Sequence, residues 1–208
     1  MLNVGAGTSS YEPRDRDIMA VEPSAVMRAQ RPPGAAPCID ARAEALPFAD
    51  GAFDATMAVL SDHHWDDRLA GLRELRRVGR RAVIFQWDPE FADAFWLSRD
   101  YLPSFPGPSR VSLAETEAAL RATRKLPVPI PHDCRDGFLM AYWHRPEAYL
   151  EPAVRANISL FSLLPAAEVE AMVAALGADL ESGAWERRNA ELLELDAFDF
   201  GYRVIVAE

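Results

Sequence analysis

The sequence predicts an α/β fold, doubly wound around a mainly parallel sheet, and three observations carry that expectation. Short apolar runs of strand length, bounded by Gly, Pro and Asp, recur along the first 87 residues, as buried parallel strands do. Between two of them the hydrophobic period changes from 2 to 3.6, where Leu69, Leu72, Leu75 and Val78 mark a helix. The chain also opens on an apolar run that leads directly into Gly5 and Gly7, and Glu22 closes the next apolar run. That is the layout of a nucleotide-binding first βα turn.

Taken in order, residues 2–5 and 18–22 are expected as short buried strands, Cys38-Ile39 as a weaker third, 53–60 as the fourth and 81–87 as the fifth. An aromatic and proline-rich segment follows from Asp88 to Arg110, with Phe91, Phe95, Trp96, Tyr101 and Phe105. Ser112 with Glu115 is a capping box, which predicts a helix through about Lys125. The proline-spaced run Pro127 to Pro131 predicts an edge strand, because a residue without an N–H cannot serve a central ladder. Residues 132–200 form a long excursion holding Phe138, Tyr142, Trp143 and Tyr149. Within it a helix is expected from Pro165, carrying Val169, Met172, Val173 and Leu176 and stopped by Gly177. Tyr202 to Ala207 reads as a last strand. The whole, residues 1–208, is expected to be one domain, with segments of about 88–111 and 132–200 inserted to cap the sheet.

Bulk properties narrow the function. A net charge of −10 argues against a protein built to neutralise a phosphate backbone, so no nucleic-acid partner is expected. The local arginine run (Arg68, Arg73, Arg76, Arg77, Arg80, Arg81) is read as the solvated side of a helix. Cys38 and Cys134 lack a paired spacing, there is no signal-peptide pattern, and no apolar run is long enough to span a bilayer. A reduced, cytoplasmic setting without membrane attachment is therefore expected. No metal is expected either, since His63, His64, His132 and Cys134 show no ligand spacing.

In such a sheet a ligand sits beyond the carboxyl ends of the strands, so the residues just after each strand matter most. Gly5 and Gly7 would let the backbone approach a ligand closely, but alone they admit a nicotinamide, a flavin or a nucleotide. Glu22 adds a carboxylate able to accept both hydroxyls of a ribose. His63 and His64 follow the fourth strand, Asp88 the fifth, and His132 and Asp133 the proline-bounded strand, which would gather all three groups on one edge of the sheet. His64 is the first candidate for a general base and His132 the second, because an imidazole titrates near neutrality. Phe95, Trp96, Tyr101, Phe138, Tyr142 and Trp143 are either the core of a lid or the wall of an apolar substrate cavity, and several are expected to face the cavity.

Four segments taken together resemble the successive motifs of the class I S-adenosylmethionine-dependent methyltransferases, in their small-molecule branch. They are Leu2 to Thr8, Val21-Glu-Pro-Ser24, Ala43 to Asp54, and Leu60-Ser-Asp-His-His-Trp65. The resemblance implies S-adenosyl-L-methionine as cofactor and a small-molecule acceptor as partner. It also implies a seven-stranded Rossmann-like sheet in the order 3-2-1-4-5-7-6, the last strand antiparallel and inserted beside the fifth. By position Asn3, Gly5, Gly7 and Thr8 would line the methionine end, Glu22 and Pro23 the ribose, Ala43 and Glu44 the adenine, and Leu60 the pocket after the fourth strand. The pattern is broken at Asn3, where an acid is usual, at Ser9, where a third glycine is frequent, and at Arg42, where an acid often meets the adenine amino group. The helices that usually precede the first strand are expected to be lacking.

Methyl transfer to an O, N or C nucleophile of a largely apolar metabolite is the first functional expectation. A methyltransferase fold that does not methylate, as a cyclase, an isomerase or a cofactor-binding module, is the alternative. A third reading is an interaction subunit that docks a partner through the helix at 66–81.

Overall fold

The computed structural model describes residues 1–105 and 112–208. In chain order the elements are β1 (Leu2–Val4), β2 (Met19–Val21), α1 (Ala25–Ala29), β3 (Cys38–Ile39), β4 (Thr56–Val59), α2 (Arg68–Val78), β5 (Ala82–Trp87), α3 (Trp96–Tyr101), α4 (Leu113–Leu120), β6 (Arg124–Pro127), β7 (Ile130–Pro131), α5 (Pro152–Ala156), α6 (Ser159–Leu163), α7 (Ala166–Glu181), α8 (Ala184–Arg188), α9 (Ala190–Leu193), β8 (Ala197–Phe198) and β9 (Tyr202–Ala207). They divide into two compact units, residues 1–88, 110–127 and 203–208 in the first, 89–109 and 128–202 in the second.

The first unit is built on a seven-stranded sheet in the order β3-β2-β1-β4-β5-β9-β6. Counted along the chain, this is the expected 3-2-1-4-5-7-6. β1 to β5 run parallel, whereas β9 runs antiparallel to β6. β1 is buried at every position, as a central parallel strand must be. β5 alternates between fully and partly buried residues. Leu72, Leu75 and Val78 of α2 lie against Leu2, Val4, Ala82 and Ile84 in one core, which is what the leucine spacing required. Asp67 caps α2 by accepting from the Ala70 N–H at 3.0 Å.

Three expectations about local structure are overturned. The first concerns the glycine turn, which opens no helix. Residues 5–18 form turns and bends only, and the first helix of the chain follows β2. Thr8, Ser9, Ser10, Pro13, Asp15 and Asp17 favour turns over helix, and so short a span carries the crossover from β1 to β2 as a loop.

The second concerns the sixth strand. α4 begins as expected, with Ser112 accepting from the Glu115 N–H, but it ends at Leu120, and Arg121 closes it with a φ of +53°. The edge strand is Arg124–Pro127, paired to β9, in the place given to the last turn of the helix. Ile130–Pro131 belongs instead to a separate two-stranded ladder with β8. The prolines explain the shift, because Arg124, Lys125 and Leu126 carry the N–H groups that the later run lacks.

The third is the stop of α7. The helix passes through Gly177, beside which a side chain would meet nothing, and runs on to Glu181 before Gly183 breaks it with a φ of +68°.

The second unit has an aromatic core. Phe95, Trp96, Trp143, Tyr149, Trp185 and Phe200 are each less than 2% exposed. Trp96 meets Trp185 edge-on at 5.1 Å, and its indole N–H donates to the Trp143 carbonyl at 2.9 Å. Of the six aromatics weighed as a cavity wall, Phe95, Trp96, Tyr101 and Trp143 are buried as core, while Phe138 and Tyr142 stay half-buried. Four of the six are therefore packing residues.

Candidate functional site

At the carboxyl edge of the parallel strands in the first unit, three turns meet. The glycine turn after β1 holds Gly5 and Gly7 at φ +69° and +52°. Ser9, at φ +83°, shares the left-handed conformation, which is why a glycine is favoured at that place. Glu22, at the end of β2, is 6% exposed and accepts the Gly7 N–H on one carboxylate oxygen and the Ser24 N–H on the other, both at 2.9 Å. Arg31 holds the turn from behind, donating to the Gly7 carbonyl at 3.2 Å and to Glu12 at 2.6 Å in a nearly buried ion pair. The turn is a fixed surface. Glu22 still has lone pairs to offer, since a carboxylate has about four acceptor sites and two are used.

Gly5 has a second reason to be glycine. A Cβ there would stand 2.7 Å from Ser61 Cβ and 3.5 Å from the indole nitrogen of Trp65. Ser61 donates its hydroxyl to the Val4 carbonyl at 3.0 Å, so the turn after β4 is bonded directly onto the glycine turn. Leu60 carries this approach with a φ of +48°, a strained value for a leucine, while its N–H donates to Phe85 in β5.

Beyond Leu60 a single 3₁₀ turn presents Asp62, His63 and His64. Asp62 is 1% exposed and bonded by Arg68 at 2.8 Å, and Arg68 also donates to Gln86 of β5 and Thr116 of α4. Burial pushes the Asp62 carboxyl up against the pull of Arg68. The two imidazoles, 3.9 Å apart, are exposed to solvent over part of their surface. That partial desolvation lowers His63 to about 4, helped by the charges of His64 and Arg68. It lowers His64 as well, with Asp62 and Glu22 pulling the other way. Both rings are therefore neutral at pH 7, with a lone pair free to take a proton.

The remaining sequence candidates fall as follows. Asn3 is buried in β1, Ala43 is buried, Pro23 is exposed, and the Thr8 hydroxyl lies 3.4 Å from that of Ser10. Glu44 is engaged by the Asp67 N–H at 3.2 Å and lies 3.8 Å from Arg42. The Arg42 guanidinium pairs with Asp66 and Glu44. His132 is exposed in the second unit, where it follows β7, its ring 5.4 Å from that of His144. Because β7 is not a strand of the seven-stranded sheet, the reason for grouping His132 with His64 on one sheet edge does not hold. Among the described residues no three His, Cys, Asp or Glu side chains are grouped as a metal site, and no helix is long and apolar enough to cross a membrane. Of the arginine run, Arg68 is buried and Arg76 and Arg77 are half-buried, Arg77 paired with Glu74 and Asp50 and Arg76 bonded to backbone carbonyls, while Arg73, Arg80 and Arg81 are exposed as a solvated side would be.

A family model described as a methyltransferase domain matches residues 2–85. Over its full length the chain is similar to a crystal structure from Anabaena variabilis, assigned to the methyltransferases of an antibiotic biosynthesis pathway, at 30% identity, 90% coverage of that chain and a TM-score of 0.86. The chain belongs to the class I S-adenosylmethionine-dependent methyltransferases. The fold is shared with YcgJ of Bacillus subtilis (18% identity, 99% of this chain and 88% of that one, TM-score 0.53). It is also shared with the [4+2]-cyclase SpnF at the same identity and score, over 99% of this chain and 73% of that one. The uncharacterized protein YafE of Escherichia coli is 56% identical over 45 residues, and that match spans only 22% of its length.

Around the candidate site stand residues to which the sequence reading gave no site role: Arg31, Ser61, Asp62, Trp65, Arg68 and Gly71. Only Gly71 left a signal. A glycine inside a leucine-spaced helix costs about 0.5–1 kcal/mol relative to alanine and calls for a packing reason.

Proposed function

We propose that this methyltransferase transfers the methyl group of S-adenosylmethionine to an O, N or C nucleophile of a small, largely apolar metabolite. The observation that carries the reading is Glu22, a buried carboxylate fixed by two backbone N–H groups at the carboxyl edge of β2 beside the glycine turn. Such a group suits a ribose diol, and the residues around it fit the cofactor. Gly5 and Gly7 keep the backbone low, and Ala43, its side chain in the core, would offer its backbone near the adenine. The bound cofactor supplies an electrophilic methyl on a sulfonium, which asks the protein mainly for alignment and exclusion of water. His64, neutral at pH 7, takes the proton where the nucleophile must lose one. The 30% identity to a methyltransferase of an antibiotic pathway supports a small-metabolite acceptor.

The test is conversion of S-adenosylmethionine to S-adenosylhomocysteine, followed by mass spectrometry with a panel of apolar hydroxy, amino and enol acceptors. Turnover with one acceptor and its loss in Glu22→Ala are expected. A second reading rests on the fold shared with the [4+2]-cyclase SpnF: a cofactor-binding fold that catalyses cyclisation or isomerisation without methyl transfer. Tight binding of S-adenosylhomocysteine with no turnover on any acceptor would select it.

A further inference from the structure

Trp65 ends the turn after β4, half-buried, and two glycines make room for its ring. Its indole nitrogen lies 3.5 Å from where a Cβ on Gly5 would stand. Its six-membered edge lies on α2 at Gly71, where a Cβ would come 2.8 Å from Cζ3, too close for any real side chain. The same point on Gly71 is 3.2 Å from Ala43 Cβ. The indole therefore spans from the glycine turn to Gly71, which stands beside Ala43, and it packs against the sheet core. A glycine in mid-helix is an unfavourable choice unless something needs the space, and here the ring occupies it.

We propose that Trp65 is a cofactor-contact residue, its indole forming the wall of the S-adenosylmethionine site between the glycine turn and Ala43, with Gly71 as the seat that admits the ring's edge against α2. This rests on the cofactor site proposed above. One end of the ring stands beside Gly5, assigned there below the methionine part, and the other lies at Gly71, the neighbour of Ala43 assigned to the adenine. A flat, half-buried indole offers apolar surface to the nucleoside and an N–H donor at the end nearest the glycine turn. Gly71 acts only through Trp65 and is a positioning residue.

The experiment uses the intact chain and S-adenosylhomocysteine as probe. Affinity is measured by calorimetry, alongside tryptophan emission and the thermal midpoint, for wild type, Trp65→Phe, Gly71→Ala and Glu22→Ala. Trp65→Phe, which keeps a ring in the core, is expected to weaken binding five- to tenfold and to abolish the emission change that the ligand causes in wild type. Gly71→Ala is expected to weaken binding similarly, by pushing the indole off α2. A wall residue shows in affinity, whereas a packing residue shows only in the thermal midpoint. If Glu22→Ala loses binding while Trp65→Phe binds as tightly as wild type with the emission change intact, the Trp65 proposal falls and the cofactor reading stands. If wild type itself binds no S-adenosylhomocysteine, both fall together.

Discussion

Arg68 and Asp62 form an ion pair 2.8 Å apart in the core of the first unit, with 8% and 1% of their side chains exposed. Removing two charges from water is costly, and a pair of this kind adds little net stability over apolar residues of the same shape. What it does supply is direction, because it ties the turn bearing His63 and His64 to β5 and α4 through Gln86 and Thr116. Arg68→Ala, which leaves Asp62 buried and unpaired, should cost about 3–5 kcal/mol of unfolding free energy. The double change Arg68→Met with Asp62→Leu should recover most of it. Urea unfolding of the three proteins checks this, and equal losses in the single and double variants would count against the pair as described.

The histidine pair makes stability depend on pH. Both folded pKa values lie below the unfolded value of about 6.5, His63 at about 4. Between those limits the unfolded chain binds more protons than the folded one, so the histidine contribution is complete above pH 6.5 and is lost as the pH falls toward 4. Unfolding midpoints at pH 7.5 and 5 should differ in that direction, and the difference should shrink in His63→Gln. Turnover, once an acceptor is in hand, should be flat from pH 7 to 8 and fall in His64→Gln. Full activity of that variant would remove His64 from the mechanism.

The three left-handed positions of the first turn should respond differently to substitution. Gly7→Ala meets only Met27 Sδ at 3.7 Å and should cost about 1–2 kcal/mol for its backbone alone. Gly5→Ala adds a collision with Ser61 and should cost clearly more. Ser9→Gly should instead stabilise by roughly 0.5 kcal/mol, the relief of left-handed strain exceeding the extra entropy of the unfolded chain. Thermal midpoints in the order Ser9→Gly, wild type, Gly7→Ala, Gly5→Ala, highest first, are expected.

Gly177→Ala should raise stability by about 0.5–1 kcal/mol, since the position is inside α7 and open on every side. A helix that ended there would be harmed or unaffected by the same change, so the sign of the shift in the unfolding midpoint decides.

The parallel half of the sheet was legible because burial on both faces leaves long apolar runs, and because α2 shows its core face every third or fourth residue. The errors lie where one residue type serves two physical roles. A glycine stops a helix or merely weakens it, and Gly177 and Gly183 look alike until the backbone angle is known. A proline marks an edge strand without saying which end of the run makes the bonds, which moved β6 by about a turn. In the site, Glu22 was legible from its place after a strand. The contacts of Arg31 with Gly7 and of Ser61 with Val4 join residues far apart in the chain, and no local pattern announces them.

The crossover from β1 to β2 without a helix has a consequence for which molecules this turn tolerates. Phosphate-binding glycine loops work by aiming free amides, backed by the positive end of a helix, at an anion. Here the amides of Gly5 and Ala6 are given to Val21, that of Gly7 to Glu22 and that of Ser9 to Ala6. With these amides already bonded within the protein and a buried carboxylate beside them, the loop has few donors left to offer an anion. Two glycines that could have served many nucleotides would thus suit a ligand that does not depend on bare amides to hold a phosphate.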